Sequence, residues 1–249
     1  MKTLLATSRV TYVPRNYRDA LEAVVAGAAE HVYGLLVIDN LDFSLVKKAA
    51  GLFLLGAPRL GRVFAANLFC AVFDRRTALF RSLQKPVISA RDANETQVVD
   101  LVRRERIDLV VNMRTRCLFK QPLLAAPRLG CINIHHGLLP RFRGTMCDLY
   151  ALADNRPAGF SIHVMSEKLD DGRILFRKEV SAPGEKDYVA YLSKTGRQEG
   201  EALAALLGQI AKQDSLPEGT PNRDDCAAYA RTPKSRGEAA ALKKKGMLL

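Results

Sequence analysis

The feature that most restricts the fold of this chain is the alternation of strand-like and helix-like segments over its first forty residues. Residues 2–7 and 31–38 are short apolar runs rich in Val, Leu and Ile, whereas residues 17–30 carry an Ala, Leu and Val face at helical spacing. Strands that alternate with helices in this way are typical of βαβ units, whose strands run parallel. The sequence therefore predicts an α/β fold, with a Rossmann-like, mostly parallel sheet that has helices on both faces.

The same alternation continues through the rest of the chain. We predict further strands at residues 85–90, 107–112, 131–135 and 174–180, and helices at residues 94–105, 121–129, 145–155 and 185–213. Residues 107–112 are apolar with little alternation, as expected for a strand in the middle of a parallel sheet that is covered on both faces. The last helix contains Lys194-Thr195-Gly196, where the pattern allows a break.

Residues 43–81 interrupt this alternation with two apolar segments, 45–55 and 63–73, on either side of Gly56-Ala57-Pro58. Basic residues punctuate both segments: Lys47, Lys48, Arg59, Arg62, Arg75, Arg76 and Arg81. Neither segment reaches the ~18–20 apolar residues needed to span a bilayer. We expect a helical hairpin that bends at Pro58. It either packs on the sheet or offers a basic, apolar surface to a membrane or a lipid-linked substrate.

Composition restricts the compartment and the partners. The five cysteines (Cys70, Cys117, Cys131, Cys147 and Cys226) include no Cys-x-x-Cys pair. This argues against a zinc ribbon or a disulfide framework and favours a reducing, cytoplasmic location. Residues 1–6 are too short an apolar run for a secretory signal. The net charge of +12 predicts an anionic partner, such as a phosphorylated substrate, nucleic acid or a membrane surface.

Residues 131–174 carry most of the polar residues that suggest chemistry. Asn133 and His135 alternate along a predicted strand, so their side chains share one face and can both address one oxygen atom. A loop at residues 137–144 follows, in which a proline and two glycines favour a sharp turn. His163 lies on another predicted strand, and Asp170 follows it in a turn.

Three pieces occur here in a fixed order: Asn-x-His, then Leu-Leu-Pro-x-Phe-x-Gly, then His-x6-Asp-x-Gly-x-Ile. Together they resemble the folate-dependent formyltransferases, a family that includes glycinamide ribonucleotide transformylase, methionyl-tRNA formyltransferase and the nucleotide-sugar N-formyltransferases. The match is strongest over roughly the central fifty residues and looser over about residues 85–180. The resemblance implies an enzyme that moves a formyl group from 10-formyltetrahydrofolate to a primary amine.

The resemblance also implies catalytic roles for Asn133, His135 and Asp170. The amide of Asn133 and the imidazolium of His135 would stabilise the negative oxygen of a tetrahedral intermediate. Asp170 would accept the proton that the amine loses, directly or through a water, and its charge would keep His135 protonated. This chemistry needs no metal, and no residue spacing suggests a metal site.

The remaining site residues are predicted from the same resemblance. Met113, Arg114 and Thr115 end the strand at residues 107–112, where the family's backbone binds the pterin ring, and Met113-Arg114 resembles the Met-Arg of glycinamide ribonucleotide transformylase. We assign folate binding to Met113, Arg114, Thr115, Glu167 and Leu169, and supporting roles to His163 and Gly144. Residues 8–15 lack the glycine-containing loop of glycinamide ribonucleotide transformylase, which argues against a simple ribonucleotide substrate.

The sequence restricts the acceptor amine less than it restricts the formyl donor. We expect an anionic amino sugar, nucleotide- or lipid-linked, because residues 43–81 offer a surface for such a substrate. A methionyl-tRNA formyltransferase is less expected, because it carries a further C-terminal domain and only about thirty-five residues follow residue 213 here. Three alternatives remain: formylation of methionyl-tRNA, hydrolysis of the formyl-folate, and a non-catalytic member that binds RNA or a membrane.

We assign residues 1–213 to a catalytic domain with a helical insertion at about residues 43–81. Residues 214–249 form a basic C-terminal tail that either wraps on the domain or is partly free. The sequence does not indicate the oligomeric state.

Overall fold

The fold is built on one seven-stranded sheet, seen in a computed structural model that describes residues 1–225 and 227–249. Cys226, one of the five cysteines, therefore lies outside the described residues. The strands are β1 (Thr3–Ser8), β2 (Val32–Ile38), β3 (Val87–Ala90), β4 (Leu109–Asn112), β5 (Cys131–His135), β6 (Phe142–Gly144), β7 (Gly159–Val164), β8 (Ile174–Glu179) and β9 (Ala228–Ala230). The sheet has the order β3-β2-β1-β4-β5-β7-β8, while β6 and β9 pair separately.

The first five strands of the sheet pair in parallel, and β7 and β8 extend it antiparallel. The predicted mostly parallel sheet is thus confirmed. Strand β1 shows why helices are needed on both faces. Leu5 belongs to one hydrophobic core and Leu4 and Ala6 to the other, as alternation along a strand requires.

The helices are α1 (Arg18–Ala28), α2 (Phe43–Leu54), α3 (Pro58–Cys70), α4 (Arg75–Ser82), α5 (Thr96–Arg104), α6 (Gln121–Leu124), α7 (Cys147–Ala153), α8 (Tyr188–Gln213) and α9 (Arg236–Lys244). Short 3-10 turns lie at Pro14–Tyr17 and Ala29–His31. Helices α1 and α8 pack together on one face of the sheet, and α5 covers the other.

Helix α8 is continuous, so the break that the pattern allowed near Gly196 does not occur. One glycine of this helix serves close packing instead. Gly200 lies directly against the backbone of Ala20 in α1, where a side chain would collide. Helix α6 is shorter than the predicted 121–129 and ends at Leu124, shortly before Pro127, whose predecessor is disfavoured in helical geometry.

Residues 43–81 form three helices rather than a hairpin of two. Helix α2 ends before Gly56, which has a positive φ of 81°, and α3 begins at Pro58, a residue favoured at the first helical position. Helix α4 then begins at Arg75. No helix in the described ranges is both long and apolar enough to cross a bilayer.

The tail after α8 wraps on the domain. Strand β9 pairs with β6, and α9 buries Ala239 and Leu242. The end of the chain also belongs to the main core through Met247 and Leu249, and the carbonyl of Leu249 accepts a hydrogen bond of 2.9 Å from the Arg59 backbone. Of the two expected arrangements of the tail, the structure has the packed one.

Candidate active site

The carboxyl ends of β4 and β5 place polar side chains at one edge of the sheet. In the strand register Asn112 lies opposite Asn133, and Asn133 lies opposite His163 of β7. A cavity of about 470 Å³ opens at this edge and is lined by Asn133, His135, His163 and Asp170. The topology therefore brings together the residues predicted to be catalytic, at the edge where parallel sheets bind their ligands.

The amide of Asn133 is held by His163. Its Nδ2 lies 3.0 Å from His163 Nε2, and His163 Nδ1 lies 2.9 Å from the carbonyl oxygen of Val164. A carbonyl only accepts, so Nδ1 carries the proton and Nε2 accepts from Asn133. Burial lowers the pKa of His163 to about 4, which keeps the ring neutral. One N–H of Asn133 is fixed in this way, and the other remains for a ligand in the cavity.

His135 lies between the carbonyl of Phe142 and the carboxylate of Asp170. Nε2 donates to the Phe142 oxygen at 2.9 Å, and Nδ1 lies 3.5 Å from Asp170 Oδ1. Burial lowers the pKa of His135 below its usual value, while the charge of Asp170 raises it by less. At neutral pH the resting ring is therefore neutral. The expectation that Asp170 keeps His135 protonated is wrong for the resting site because desolvation outweighs the attraction.

Asp170 is fixed by contacts from two segments, β6 and the tail. Its Oδ2 accepts a hydrogen bond of 3.1 Å from the backbone N–H of Gly144. Its backbone carbonyl accepts from Arg143 at 2.6 Å and from Asn222 of the tail at 2.8 Å. By contrast Asp171 is exposed, with its carboxylate 3.6 Å from Arg143. The structure thus distinguishes the two adjacent aspartates, and the tail helps to position the buried one.

A buried group of charges lies at the inner end of the same cavity. Glu199 of α8 is fully buried, and Tyr17 donates its hydroxyl to Glu199 Oε2 at 2.5 Å. Arg114 approaches Glu199 Oε1 at 3.6 Å, and His136 Nε2 contacts the same oxygen. Burial raises the pKa of Glu199 to about 7, with Arg114 opposing that rise.

Asp148 of α7 extends this group. Its Oδ1 accepts from the Tyr188 hydroxyl at 2.9 Å, and its Oδ2 lies 3.4 Å from His136 Nδ1. Burial raises the pKa of Asp148 to about 6. His136 therefore bridges the two carboxylates. We call Arg114, His136, Asp148 and Glu199 the inner charge network.

The loop between β1 and α1 forms one wall of the cavity through Thr11, Tyr12 and Val13. The insertion holds this wall: Asn67 of α3 donates to the carbonyls of Thr11 at 2.9 Å and Val13 at 2.7 Å. Arg76 of α4, which is buried, donates to three further carbonyls of the same loop. Without glycine, the positive φ angles here fall on Arg15, Asn16 and Tyr17.

A family model described as formyl transferase matches residues 63–207, more than half of the chain. This chain belongs to the formyl transferase family. A methionyl-tRNA formyltransferase from Ehrlichia canis (strain Jake) is 34% identical over 175 residues, covering 70% of this chain and 54% of that protein. The chain spans about half the length of the curated relatives it matches.

Solved structures share the fold over nearly the whole chain. A sugar N-formyltransferase from Shewanella sp FDAARGOS_354 has a TM-score of 0.61 at 19% identity, covering 98% of this chain and 87% of its own. Phosphoribosylglycinamide formyltransferase from Anaplasma phagocytophilum has a TM-score of 0.62 at 16% identity, covering 93% and 99%. At these identities the likeness establishes the fold, in agreement with the sheet order described above.

Of the residues predicted to bind the formyl donor, the structure places most in the cavity wall and one in the core. Thr115, Glu167 and Leu169 line the cavity, and so does Arg114. The guanidinium of Arg114, however, points inward to Glu199. The side chain of Met113 is fully buried in the core and does not line the cavity, so only its backbone remains at the strand end.

A second recess of about 550 Å³ adjoins this part of the cavity. The two share the segment from Met165 to Lys168, which follows β7. The second recess is also lined by Gln121 of α6 and by Asp171. Among residues 1–225 and 227–249, no cluster of three or more His, Cys, Asp and Glu side chains could hold a metal ion.

The sequence pattern did not indicate His136, Asp148, Glu199 or Asn222 as site residues. One signal could have indicated Glu199: it interrupts a buried stripe of α8 that includes Leu192, Thr195 and Leu203. A carboxylate in such a stripe needs a buried partner. No comparable signal existed for Asn222, because its segment is polar and has no clear periodicity.

Proposed function

We propose that this member of the formyl transferase family transfers a formyl group from 10-formyltetrahydrofolate to a primary amine, with an amino sugar as the acceptor class. The observation that carries the proposal is the convergence of Asn133, His135 and Asp170 at one edge of the sheet, inside a cavity large enough for a ligand.

The proposed mechanism assigns one task to each side chain. When bound, 10-formyltetrahydrofolate supplies a formyl carbon that an amine can attack. The free N–H of Asn133 donates to the oxygen on which negative charge develops, and its second N–H is anchored by His163. His135 accepts the proton of the amine at Nδ1, directly or through a water, and that proton then passes to the folate nitrogen as its bond to the formyl carbon breaks. Asp170, 3.5 Å away, stabilises the imidazolium that forms.

The donor fits the part of the cavity between Thr115 and Leu169. Leu169 is 55% exposed and offers an apolar contact to a flat ring, while the end of β4 offers backbone groups. The adjoining recess shares Lys168 and Glu167 with the cavity. Lys168 is the cation suited to the anionic tail of a folate. The residues present therefore fit the formyl donor that the family uses.

The acceptor fits the inner end of the cavity. Arg114, His136 and Asp148 line this end, whereas Glu199 lies behind them with no exposed surface. The polar side chains at this end suit a ligand that carries hydroxyl groups, as a sugar does. The Shewanella sugar N-formyltransferase, which has this fold over 98% of the chain, supports the same acceptor class.

Formylation of methionyl-tRNA is the second candidate. It is favoured by the 34% identity to the Ehrlichia canis methionyl-tRNA formyltransferase and by the net charge of +12. Binding of tRNA would be strongly weakened by salt, because each phosphate contact releases counterions.

One experiment separates these candidates. The protein is incubated with 10-formyltetrahydrofolate and a panel of nucleotide-linked amino sugars, free amino sugars and methionyl-tRNA, and the products are identified by mass spectrometry. We expect the mass of one formyl group on an amino sugar, with tetrahydrofolate released in equal amount. Formyl-methionyl-tRNA as the only product would show that the acceptor is methionyl-tRNA and not an amino sugar. Formate as the only product would indicate hydrolysis of the donor. Absence of turnover with every acceptor would refute the proposal.

A further inference from the structure

The helical insertion exposes an unusual amount of apolar surface. Thirteen large hydrophobic side chains are exposed in the described ranges, and eight of them lie between residues 41 and 73. We call these eight the α2–α3 apolar face: Leu41, Phe43, Val46, Phe53, Leu54, Phe69, Val72 and Phe73. They concentrate in about one eighth of the chain, so they differ from the scattered exposed side chains of ordinary surfaces.

These side chains follow helical spacing on faces that point away from the domain. Phe43, Val46 and Leu54 share one side of α2, whereas Leu45 and Ala49 on its other side are buried. In α3 the buried side carries Phe64 and Asn67, and Phe69 lies on the solvent side. Both helices thus already pack against the domain, and their outer faces have no interior left to contact.

Helices α2 and α3 pack against each other through Phe53 and Gly61. A side chain at Gly61 of α3 would come within 2.8 Å of the Phe53 ring of α2, so the glycine allows this ring to lie against α3. The rings of Phe43, Phe69 and Phe73 expose 72–74% of their surface, so they protrude from the protein rather than lie flat on it.

The border of the α2–α3 apolar face is basic. Residues 41–82 contain seven basic residues and two acidic ones, and both acidic side chains are occupied: Asp42 caps α2 and Asp74 pairs with buried Arg76. Five basic side chains are exposed, and none has an acidic partner within salt-bridge distance in the described part of the chain: Lys47, Lys48, Arg62, Arg75 and Arg81. The charge of this border suits an anionic partner.

We propose that the α2–α3 apolar face docks on an anionic phospholipid bilayer. Protruding Phe rings would enter the boundary between headgroups and acyl chains, while the flanking Lys and Arg side chains contact lipid phosphates, which is how interfacial helices bind membranes. The helices lie on the bilayer and do not span it.

Docking would place the bilayer next to the candidate active site. Leu60 of α3 lines the cavity, and Asn67 of the same helix binds the loop that forms the cavity wall. The C-terminal helix joins this region as well, because Arg236 of α9 donates to the carbonyl of Leu54 at 2.7 Å. The docking proposal does not depend on the proposed transfer reaction, and its test uses lipid alone.

The test is co-sedimentation of the full-length protein with sucrose-loaded vesicles, made either of phosphatidylcholine or of phosphatidylcholine with phosphatidylglycerol in equal parts. We compare the wild type with a Phe69→Ser/Phe73→Ser variant and with Tyr229→Ser, a matched control whose ring is 69% exposed on β9. An Arg62→Glu/Arg75→Glu variant tests the basic border. Thermal unfolding confirms that each variant is folded, and sedimentation velocity gives the oligomeric state.

We expect binding to the anionic vesicles only, weakened by salt. Loss of the two Phe rings lowers the partition coefficient at least about tenfold, and charge reversal does the same, while Tyr229→Ser binds as the wild type does. Equal binding by all variants, or no binding by the folded wild type, overturns the proposal. A wild-type dimer that the Phe variant converts to monomers also overturns it, because the face would then belong to a second copy of the chain.

Discussion

Replacement of Asp170 by asparagine removes one charge from the candidate active site and keeps its shape. The side chain is buried, and the backbone N–H of Gly144 can still donate to the amide oxygen of the new residue. What is lost is the attraction between the carboxylate and the imidazolium that forms on His135. At 3.5 Å and an effective dielectric constant of about 20, that attraction is about 5 kcal/mol.

The expected rate loss follows from this value. General acid–base catalysis contributes about 10²- to 10⁴-fold to turnover, and loss of the charge that stabilises the imidazolium of His135 should remove the upper part of that range. Binding of the folate donor should change by less than about tenfold, because Asp170 acts on the proton and not on the donor. The charge of Asp170 raises the pKa of His135, so the substitution should lower that pKa further.

Asp171→Asn is the matched control. It makes the same chemical change one residue later, at an exposed side chain that contacts Arg143 at 3.6 Å, so turnover should fall by less than about fivefold. The assays are steady-state formation of tetrahydrofolate, with the acceptor amine identified as described above, and an NMR titration of the histidine rings. Unchanged turnover in Asp170→Asn, or an equal loss in both variants, would refute the reasoning.

Three further predictions concern other parts of the site. Asn133→Ala removes the oxyanion donor and should lower kcat by about 10²- to 10³-fold at unchanged KM, and a loss below tenfold in steady-state kinetics would contradict that role. Asn222→Ala removes one of the two hydrogen bonds to the carbonyl of Asp170 and should lower kcat about tenfold with donor binding preserved by calorimetry; an unchanged kcat would show that the tail does not position Asp170. Burial raises the pKa of Glu199 from 4.5 to about 7. Between these two pH values the carboxyl group is protonated in the native state and ionised in the unfolded state. The free energy of unfolding therefore falls as the pH rises from about 4.5 to about 7. Glu199→Gln should remove up to about 3 kcal/mol of this fall in urea titrations, and an unchanged slope would contradict the burial argument.

The sheet and the catalytic motif were predictable because both depend on local patterns. Apolar strands and amphipathic helices in alternation define a parallel sheet, and the Asn-x-His spacing places Asn133 and His135 on one face of a strand. Strand register then brings His163 opposite Asn133. The catalytic roles of Asn133, His135 and Asp170 were implied by the family resemblance, and the pairing of β5 with β7 is a long-range contact that the local pattern did not predict.

The inner charge network depends on packing that the sequence pattern does not specify. His136 and Glu199 are 63 residues apart and meet because α8 packs against α1 beneath the strand ends. Arg114 was expected to face the donor, but its backbone has a positive φ of 68° and its guanidinium points to Glu199. A left-handed conformation at a residue other than glycine is uncommon, and periodicity gives no sign of it.

The charge of His135 was mispredicted for a related reason. From the motif alone, a carboxylate beside an imidazole favours the protonated ring. Whether the attraction of the carboxylate prevails depends on how completely the ring is removed from water. Distant segments shape this surrounding, because Asn222 of the tail binds the backbone of Asp170. Burial of this kind is a property of the folded chain and not of the motif.

The measurement that tests the central claim most directly is a calorimetric titration with 5-formyltetrahydrofolate, a stable mimic of the formyl donor. We predict saturable one-to-one binding in the micromolar range for the wild type. Binding should be weaker in Leu169→Asp, which places a negative charge on the wall of the cavity assigned to the folate. Absence of binding by the folded wild-type protein, or undiminished binding by Leu169→Asp, would contradict the assignment of this cavity as a formyl-transfer site.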